Sequence, residues 1–300
     1  MNLTNNPMIS FIIVNFHTSS YVINLVQSIE KFICTEKFEI LILDNSEDEN
    51  EFDTLSSIRN ACIKLFKSAS NIGFAVGNNF LYQKAAGEVI VLINPDTRLI
   101  DTSLIDLIKY LLSDDTIAVA GPQLLNEDES YQVSFYKFPR ISSLLKEHIL
   151  LFKKHAYEYD SDKSQSRFCD VVKGACMVIN KRVWKEEKIF DDSYIMYLEE
   201  VDLCKRVQLK GLKIFYFAES KIIHLGGKSS SLSFASEYSL FNYYRSKLNY
   251  FNKFHSNFYI FIKAILFLSL VEKSVVLFMS GRFNSSLLHR KVLKRFIREL

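Results

Sequence analysis

Three carboxylates lie within four positions of the segment YLEEVDLCKR, residues 197–206, and mostly apolar side chains surround them. They belong to Glu199, Glu200 and Asp202. Crowded carboxylates repel each other and resist the loss of water, so a sequence keeps them where something nearby needs their charge. If the segment is helical, Asp202 and Arg206 have ion-pair spacing, and Glu200 points about 100° away from Glu199. We therefore predict that Arg206 holds one carboxylate while another accepts a proton; the alternative is a solvated helix with surface ion pairs.

Polar residues also follow three apolar runs that are typical of buried strands. They are Asn15 after FIIV, Asp44 and Asn45 after EILIL, and Asn94 and Asp96 around the end of EVIVLI. In open α/β sheets, ligands bind beyond the carboxyl ends of the strands, because loops and helix N-termini converge there. Asp96 follows a proline, and a rigid carboxylate suits Mg²⁺, which takes one or two protein carboxylates beside phosphate oxygens. The alternative role of each strand-end Asp is a helix cap or a turn.

A histidine, His224, begins the loop HLGGKSS after a predicted strand. Taken alone, it is best interpreted as an ordinary loop residue. Beside an Asp–metal–diphosphate site, the role of a metal ligand is favoured.

The chain alternates strand-like apolar runs with helix-like segments. Strands are predicted at 9–15, 39–46, 63–68, 88–96 and 117–122, and helices within 17–32, 71–87 and 102–114. This alternation favours an α/β fold around a largely parallel sheet that is covered on both faces. Residues 123–168 show no clear period, 170–184 predict a strand, a turn and the start of a helix, and 212–220 predict a strand. The pattern turns helical near residue 234, so we predict two domains, 1–233 and 234–300.

The composition is that of a globular protein, with 48% hydrophobic and 24% charged residues. The N-terminus lacks the basic and apolar regions of a secretory signal. Five cysteines, an odd number without a CxxC pair, predict buried free thiols in a reducing cytoplasm. The net charge is +3, and residues 281–300 hold six basic residues against one acid. The basic character belongs to the tail, and we predict no nucleic-acid partner.

The tail begins with an apolar segment. Residues 258–271 are apolar or nearly so apart from Lys263, and SVVLFMS continues the run after Glu272 and Lys273. A membrane-spanning helix needs about 20 largely uncharged residues. These charges favour a helix that lies on the membrane surface and is attracted to anionic lipid by the basic tail. A helical hairpin packed on the catalytic domain or in a homodimer is the alternative.

Seven motifs in order give the chain a family resemblance: FIIVNFHTSS, LILDNSEDEN, NIGFAVGNN, LINPDTRL, KGACMVINKRVW, IFDDSYIMYLEEVDLCKR and HLGGKSS. Over residues 8–250 it resembles family 2 inverting glycosyltransferases with the GT-A fold, in particular the rhamnosyltransferase-like branch that builds bacterial surface polysaccharides. The resemblance implies an α/β fold with a Rossmann-like mixed sheet flanked by helices, and a helical C-terminal extension.

The resemblance implies a donor site. Asp44 matches the acid that contacts the base and ribose of the donor nucleotide. Asp96 matches the last acid of a DxD-type motif, which holds Mg²⁺ or Mn²⁺ on the donor diphosphate, and Asn94 stands where many relatives have the first acid. His224 matches a histidine that completes the metal site in some relatives. The remaining predicted nucleotide-binding residues come from the same motifs: Asn15, Asn45, Asn71 and Gly73.

The resemblance also implies an acceptor site. Glu200 matches the general base, which is usually Asp in relatives, so Glu199 and Asp202 stay open as substitutes. Gly174 and Ala175 match a turn of small residues near the acceptor, for which a plain tight turn is the alternative.

The implied function is metal-dependent, inverting transfer of a sugar, rhamnose from dTDP-rhamnose, onto a lipid-linked or growing surface polysaccharide. The implied location is cytoplasmic, peripheral on the inner face of the cell membrane. A UDP-hexose, UDP-N-acetylhexosamine or galactofuranose donor stays open. So does a catalytically silent nucleotide- or sugar-binding subunit, although the acids at 44, 96 and 200 argue against it. A nucleotidyltransferase is disfavoured, because FIIVNFHTSSYV lacks a glycine-rich loop.

Overall fold

The computed structural model describes residues 8–58, 60–149, 163–226 and 236–299. Its strands are β1 Ile9–Asn15, β2 Phe38–Asp44, β3 Ile63–Lys67, β4 Val89–Ile93, β5 Thr97–Leu99, β6 Ile117–Leu125, β7 Tyr131–Gln132, β8 Phe135–Tyr136, β9 Arg167–Phe168, β10 Val171–Val172, β11 Cys176–Asn180 and β12 Lys213–His224. Its α-helices are α1 Ser19–Phe32, α2 Glu49–Ser56, α3 Phe74–Lys84, α4 Ser103–Ser113, α5 Ile141–Ile149, α6 Glu199–Leu209, α7 Glu237–Phe254, α8 Tyr259–Met279 and α9 Phe283–Glu299.

A mixed sheet with the strand order β3-β2-β1-β4-β11-β6-β12-β5 forms the centre of the fold. β1 runs parallel to β2 and β4, and β3 runs parallel to β2. β11 enters antiparallel between β4 and β6, and β5 pairs antiparallel with the end of β12. The predicted α/β class is confirmed, and parallel pairing predominates only in the half that β1 to β4 form.

Helices cover both faces of the sheet, which explains why its strands are continuous apolar runs. Every residue of β1 is buried. α1 and α4 pack their apolar stripes into the core on one face, through Val22, Leu25, Ile29, Leu104 and Leu111. α3 packs against β1 and β2 so closely that a β carbon at Gly77 would lie 3.2 Å from side-chain atoms of Val14 and Leu43. Close packing therefore accounts for Gly77.

Several sequence-based expectations are corrected. Residues 181–183 form a turn where a helix start was predicted. His224 is the last residue of β12, paired with Thr97, and does not begin a loop. The stretch 123–168, for which no period was recognised, contains the end of β6, the two-residue strands β7, β8 and β9, and the nine-residue helix α5. The strands are too short to show a period, whereas α5 has apolar residues at helical spacing that sequence reasoning missed. The five cysteines are free thiols, but only Cys176 and Cys204 are buried.

The chain divides into two compact units. The first holds the described residues of 1–137, 159–191 and 200–229, with the whole sheet. The second holds those of 138–158, 192–199 and 230–300, with α5, α7, α8 and α9. The predicted boundary between residues 233 and 234 lies outside the described residues.

A buried ion pair ties α5 to α7 inside the second unit. Lys247 is 2% exposed, and its Nζ lies 2.6 Å from each carboxylate oxygen of Glu147. Tyr243 donates a hydrogen bond to the same carboxylate. Burial lowers the pKa of Lys247 to about 8, and the charge of Glu147 opposes that shift. Among the described helices, none combines the length and apolar character needed to cross a membrane.

Candidate functional site

The carboxyl ends of β1 and β2 place Asn15 directly beside Asp44. Asn15 Nδ2 donates to Asp44 Oδ1 at 3.0 Å, and the backbone N and Oγ of Ser46 donate to the same oxygen at 3.2 and 2.5 Å. The other oxygen of Asp44, Oδ2, is buried and accepts no hydrogen bond from the described residues. A buried acceptor without a donor is costly, so this oxygen is suited to receive an N–H or O–H group of a ligand.

Two loops beside Asp44 are joined through asparagine side chains. Asn45 Nδ2 donates to Asn71 Oδ1 at 2.9 Å, and Asn71 Oδ1 also accepts from the backbone N of Gly73 at 2.9 Å. Gly73 has φ 83° immediately before α3, a left-handed conformation that favours glycine. The structure thus brings four of the predicted nucleotide-binding residues together. Asn45, Asn71 and Gly73 are linked by hydrogen bonds and lie next to Asp44.

Asp96 and His224 meet where β5 pairs with the end of β12. His224 Nε2 lies 3.5 Å from Asp96 Oδ1, and both side chains are buried. The backbone N of Leu225 donates to the carbonyl of Asp96 at 2.9 Å, which fixes the approach of the two segments. Asn94, two residues before Asp96, has a buried Oδ1 without a hydrogen-bond donor among the described residues.

Gln132 on β7 orients the imidazole of His224. Gln132 Nε2 donates to Asn126 Oδ1 at 2.9 Å and to the carbonyl of His224 at 3.1 Å. Gln132 Oε1 is then an acceptor, and it lies 2.5 Å from His224 Nδ1, so Nδ1 carries the proton. In the neutral ring, the lone pair of Nε2 therefore faces Asp96 Oδ1.

An imidazole lone pair and a carboxylate oxygen that face each other are a favourable pair of ligands for a divalent cation. Asn94, two residues before Asp96, has a buried Oδ1, an oxygen of the kind that Mg²⁺ and Mn²⁺ bind. The residues present therefore fit the predicted cation. Within the described ranges, no group of three or more His, Cys, Asp or Glu residues is arranged to hold a metal, and the Asp96–His224 pair is the candidate that the predicted ligands leave.

Glu200 lies at the start of α6, and its carboxylate accepts a hydrogen bond from Tyr136 on β8. The distance from Tyr136 Oη to Glu200 Oε1 is 2.5 Å. Tyr136 is 6% exposed and is held by the pairing of β8 with β10. Glu200 keeps partial exposure, so its carboxylate is both oriented and accessible.

A turn of small residues connects Asn94 to Glu200. The backbone N of Asn94 donates to the carbonyl of Ala175 at 2.9 Å. A β carbon at Gly174 would lie 3.5 Å from Cβ of Glu200 and 3.9 Å from its carboxylate carbon. Because Gly174 has no β carbon, the turn leaves space beside the carboxylate of Glu200.

Asp202 and Arg206 form the predicted ion pair across one turn of α6. Arg206 Nε lies 2.6 Å from Asp202 Oδ2, and the guanidinium also donates to the carbonyl of Ile189 and lies over the ring of Trp184. The side chain of Asp202 is fully buried. Because Asp202 is buried and paired with Arg206, its environment is that of a residue that stabilises the fold, whereas Glu200 remains partly exposed. Glu199, the first residue of α6, is 9% exposed and belongs to the second unit.

The backbone before α6 is strained. Tyr197 and Leu198 have φ 70° and 64°, in the left-handed region that side chains with a β carbon rarely adopt. Such strain persists where surrounding contacts hold it. Here Leu198 is buried, and Tyr197 Oη lies 2.7 Å from Oγ of Ser239 within the second unit.

Sequence reasoning missed three side chains that organise the site. Tyr136 and Gln132 lie on two-residue strands inside the stretch without a period, so no pattern marked them. Glu51, on α2, accepts from Asn15 Nδ2 at 3.0 Å and from the backbone N of Ser19 at 2.9 Å. No element was predicted between residues 46 and 63, so no pattern marked Glu51.

Residues 10–183 match the family described as Glycosyl transferase family 2. Because the match covers more than half of the chain, the protein belongs to glycosyl transferase family 2, and it is a glycosyltransferase.

Three relatives extend this comparison. Rhamnosyltransferase WbbL of Escherichia coli K12 is 26% identical over 226 residues, 72% of this chain and 83% of WbbL. The low-salt glycan biosynthesis hexosyltransferase Agl10 of Haloferax volcanii is 25% identical over 275 residues, 86% of this chain and 78% of Agl10. An uncharacterized protein of Haemophilus influenzae is 32% identical over 109 residues, which are 35% of this chain and 58% of that protein.

Solved structures of transferases share the fold. Mannosyltransferase PcManGT from Pyrobaculum calidifontis, in complex with GDP-Man and Mn²⁺, has a TM-score of 0.58 at 11% identity over 98% of this chain and 88% of that chain. GalNAc-T7 with UDP, GalNAc and Mn²⁺ has a TM-score of 0.58 at 18% identity over 80% of this chain and 48% of that chain. The fold is therefore GT-A, as the resemblance implied.

Proposed function

We propose that the protein is an inverting glycosyltransferase that moves rhamnose from dTDP-rhamnose onto a lipid-linked or growing surface polysaccharide. The observation that carries the proposal is the connection between two sets of groups in the first unit. Asn94, two residues before Asp96, is hydrogen-bonded to Ala175, and the residue that precedes Ala175, Gly174, lies against Glu200. A cation site and an accessible carboxylate thus adjoin, as a reaction between a diphosphate sugar and a hydroxyl requires.

The donor nucleotide is assigned to the ends of β1 and β2. Asp44 Oδ2 would accept a hydrogen bond from the ring N–H of uracil or thymine, or from a ribose hydroxyl. Asp44 and Asn94 follow strands that are separated by β1, so they lie roughly 10 Å apart across the sheet. That span matches a nucleoside with its base at Asp44 and its diphosphate at Asp96.

Asp96 and His224 would hold Mg²⁺ or Mn²⁺, with Asn94 Oδ1 as a further oxygen. A bound divalent cation stabilises the negative charge that gathers on the departing nucleoside diphosphate. The contribution of this chain is to hold the proton of the neutral imidazole on Nδ1, through the hydrogen bond to Gln132, so that the lone pair of Nε2 is directed to Asp96.

Glu200 is the proposed general base. Its carboxylate takes the proton of the acceptor hydroxyl while that oxygen attacks the anomeric carbon of the sugar, and the bond from this carbon to the diphosphate oxygen breaks. Attack occurs on the face opposite to the leaving group, so one displacement inverts the configuration. The hydrogen bond from Tyr136 holds one oxygen of Glu200, and the other is directed to the acceptor. Burial and pairing make Asp202 a support for α6, and Glu199 is the remaining substitute.

Three further assignments belong to this proposal. Residues 1–233 would form the catalytic domain, and 234–300 would be a helical region that holds the enzyme on the inner, cytoplasmic face of the cell membrane, near a lipid-linked acceptor. A homodimer stays open. The rhamnosyltransferase WbbL supports rhamnose as the transferred sugar, and a UDP-sugar donor is the alternative that the first experiment must separate.

The experiment is thermal unfolding of the protein with dTDP, UDP, GDP and CMP, each with and without Mn²⁺. A ligand that binds only the folded chain raises the unfolding temperature by mass action. We expect a metal-dependent rise with dTDP. A larger rise with UDP would replace the proposed donor, and the absence of a rise with every nucleotide would contradict the proposed donor site.

A further inference from the structure

Helix α8 turns apolar side chains to solvent in its first and last turns. The exposed positions recur at helical spacing and are all apolar: Ile260, Phe261, Ala264, Leu268, Val275, Val276, Phe278 and Met279. Ile260 at one end is 82% exposed, and Met279 at the other is 81% exposed. The opposite side, which includes Ser269 and Ser274, is buried. The helix therefore presents to water residues that would normally form its packed stripe.

The length of α8 and the number of its exposed apolar residues indicate that this side of the helix binds a partner. At 1.5 Å per residue, the helix is about 31 Å long. Single exposed apolar residues need no explanation, but two groups of them on one helix, at 260–268 and 275–279, mark an interaction surface, although the partly exposed Glu272 lies between the groups.

The outward side of α9 is of a different kind. It carries exposed apolar residues interleaved with exposed cations: Phe283, Leu287, Arg290, Lys291, Lys294, Ile297 and Arg298. Arg295 and Arg298 share the carboxylate of Glu299, whereas Arg290, Lys291 and Lys294 form no ion pair with any described residue. A surface of mixed apolar and uncompensated basic groups suits a partner that is apolar inside and anionic outside.

The two outward faces adjoin within the second unit. The ring of Phe278 on α8 meets the ring of Phe283 at 5.4 Å, and the guanidinium of Arg290 lies 5.1 Å from the centre of the Phe278 ring. We define the α8–α9 face as the exposed residues of these two helices. Its apolar part and its basic part are continuous.

We propose that the α8–α9 face binds the surface of an anionic phospholipid bilayer, with α8 lying in the plane of the membrane and the cations of α9 at the phosphate groups. This proposal rests on the proposed function for the cellular location of the membrane, and it adds the surface of the protein that binds it. The apolar side chains of α8 would leave water and contact the acyl chains of the lipid. Each cation of α9 near the membrane surface would add electrostatic attraction to the anionic head groups. A second copy of the chain is a poorer occupant, because an isologous contact would bring the cations of one face against the cations or the apolar residues of the other, neither of which offers them an anion.

The test is cosedimentation of the full chain with vesicles of phosphatidylcholine alone or with 30% phosphatidylglycerol. We expect binding to the anionic vesicles that weakens when salt is raised, because exposed charges are screened. Ile260→Ser combined with Leu268→Ser should reduce the affinity at least tenfold, and Lys291→Glu combined with Lys294→Glu should remove the preference for phosphatidylglycerol. Leu209→Ser and Lys109→Glu, exposed positions on α6 and α4, are matched controls that should bind as the unchanged protein does.

Unaltered thermal unfolding of each variant confirms that the exposed substitutions leave the fold intact. Equal vesicle binding by the Ile260→Ser/Leu268→Ser variant, or no binding by the unchanged chain, would overturn the proposal. So would a dimer in sedimentation velocity that the same substitutions dissociate. Nucleotide binding is measured on the same samples, so failure of the proposed transferase site and failure of the α8–α9 face give different results.

Discussion

The hydroxyl of Tyr136 donates a hydrogen bond to Oε1 of Glu200 across 2.5 Å, although the two residues are 64 positions apart in the chain. A hydrogen bond to an ionised group is stronger than one between neutral groups, and it fixes the direction in which the carboxylate points. In the proposed reaction, this contact sets the geometry of proton transfer. Tyr136 is thus a positioning residue for Glu200.

Tyr136→Phe should lower kcat about tenfold and leave the KM for the donor nearly unchanged. A hydrogen bond to a charged group contributes about 1.5–3 kcal/mol, and about 1.4 kcal/mol corresponds to a factor of ten in rate. Tyr110→Phe, at an exposed position on α4, is the matched control. An unchanged kcat, or a loss that falls on KM instead, would remove Tyr136 from the reaction.

Glu200→Gln and Asp202→Asn should fail in different ways. Loss of a general base costs roughly 10²–10⁴ in rate, so Glu200→Gln should abolish measurable transfer and leave nucleotide affinity intact. Asp202→Asn breaks a buried ion pair with Arg206, so it should lower the free energy of unfolding by about 3 kcal/mol, with transfer retained at temperatures where the variant is folded. Steady-state kinetics and urea unfolding of both variants separate the two roles. Near-normal turnover of Glu200→Gln would make Glu199 the next candidate base.

Gln132→Ala should weaken Mn²⁺ binding about 10- to 100-fold, because an outer hydrogen-bond partner fixes the tautomer and direction of a ligating histidine. His224→Ala should weaken it at least as much, since it removes the ligand itself. Electron paramagnetic resonance of free Mn²⁺ measures both without any activity assay. Gln165→Ala, exposed in the first unit, is the control. Unchanged Mn²⁺ affinity in both test variants would place the cation elsewhere.

Glu39 should make the free energy of unfolding of the first unit fall in acid. Its side chain is buried on β2 and accepts hydrogen bonds from Lys64, Ser10 and the backbone N of Ala86. Burial by itself would raise the pKa of Glu39, but these hydrogen bonds outweigh it and lower the pKa below the usual value. Glu39 therefore binds a proton more tightly in the unfolded chain than in the folded chain. Its contribution to stability is complete above the pKa that it has in the unfolded chain, and is lost as pH falls through its lower pKa in the folded chain.

Glu39→Gln should therefore lower the free energy of unfolding by about 2 kcal/mol at pH 7 and flatten its decline in acid. Urea unfolding between pH 3 and 7 measures the difference. Glu127→Gln, at an exposed position, should match the unchanged protein throughout. If Glu39→Gln follows the same pH curve as the unchanged protein, another carboxylate governs the acid dependence.

The sequence was most informative where structure and chemistry are local. Continuous apolar runs predicted β1, β2 and β4, and the polar residues at their ends predicted that Asp44 and Asp96 lie on one edge of the sheet. The spacing of Asp202 and Arg206 predicted their ion pair. Each of these inferences needed only a few neighbouring residues.

The remaining features depend on distant parts of the chain. Tyr136 and Gln132 reach Glu200 and His224 from two-residue strands that carry no period. The apolar composition of α8 was evident, but no local pattern could show which side would face solvent, because apolar residues occupy both sides of the helix. Only the packing of the second unit decides that direction.

The most direct test of the central claim is the release of nucleoside diphosphate and the transfer of sugar to a lipid extract, measured by mass spectrometry. The substrates are dTDP-rhamnose and a panel of UDP-sugars, each with Mn²⁺ or with EDTA, for the unchanged protein and for Glu200→Gln. The account predicts Mn²⁺-dependent transfer from dTDP-rhamnose that Glu200→Gln abolishes. Transfer that persists in EDTA, or that Glu200→Gln leaves intact, would contradict it.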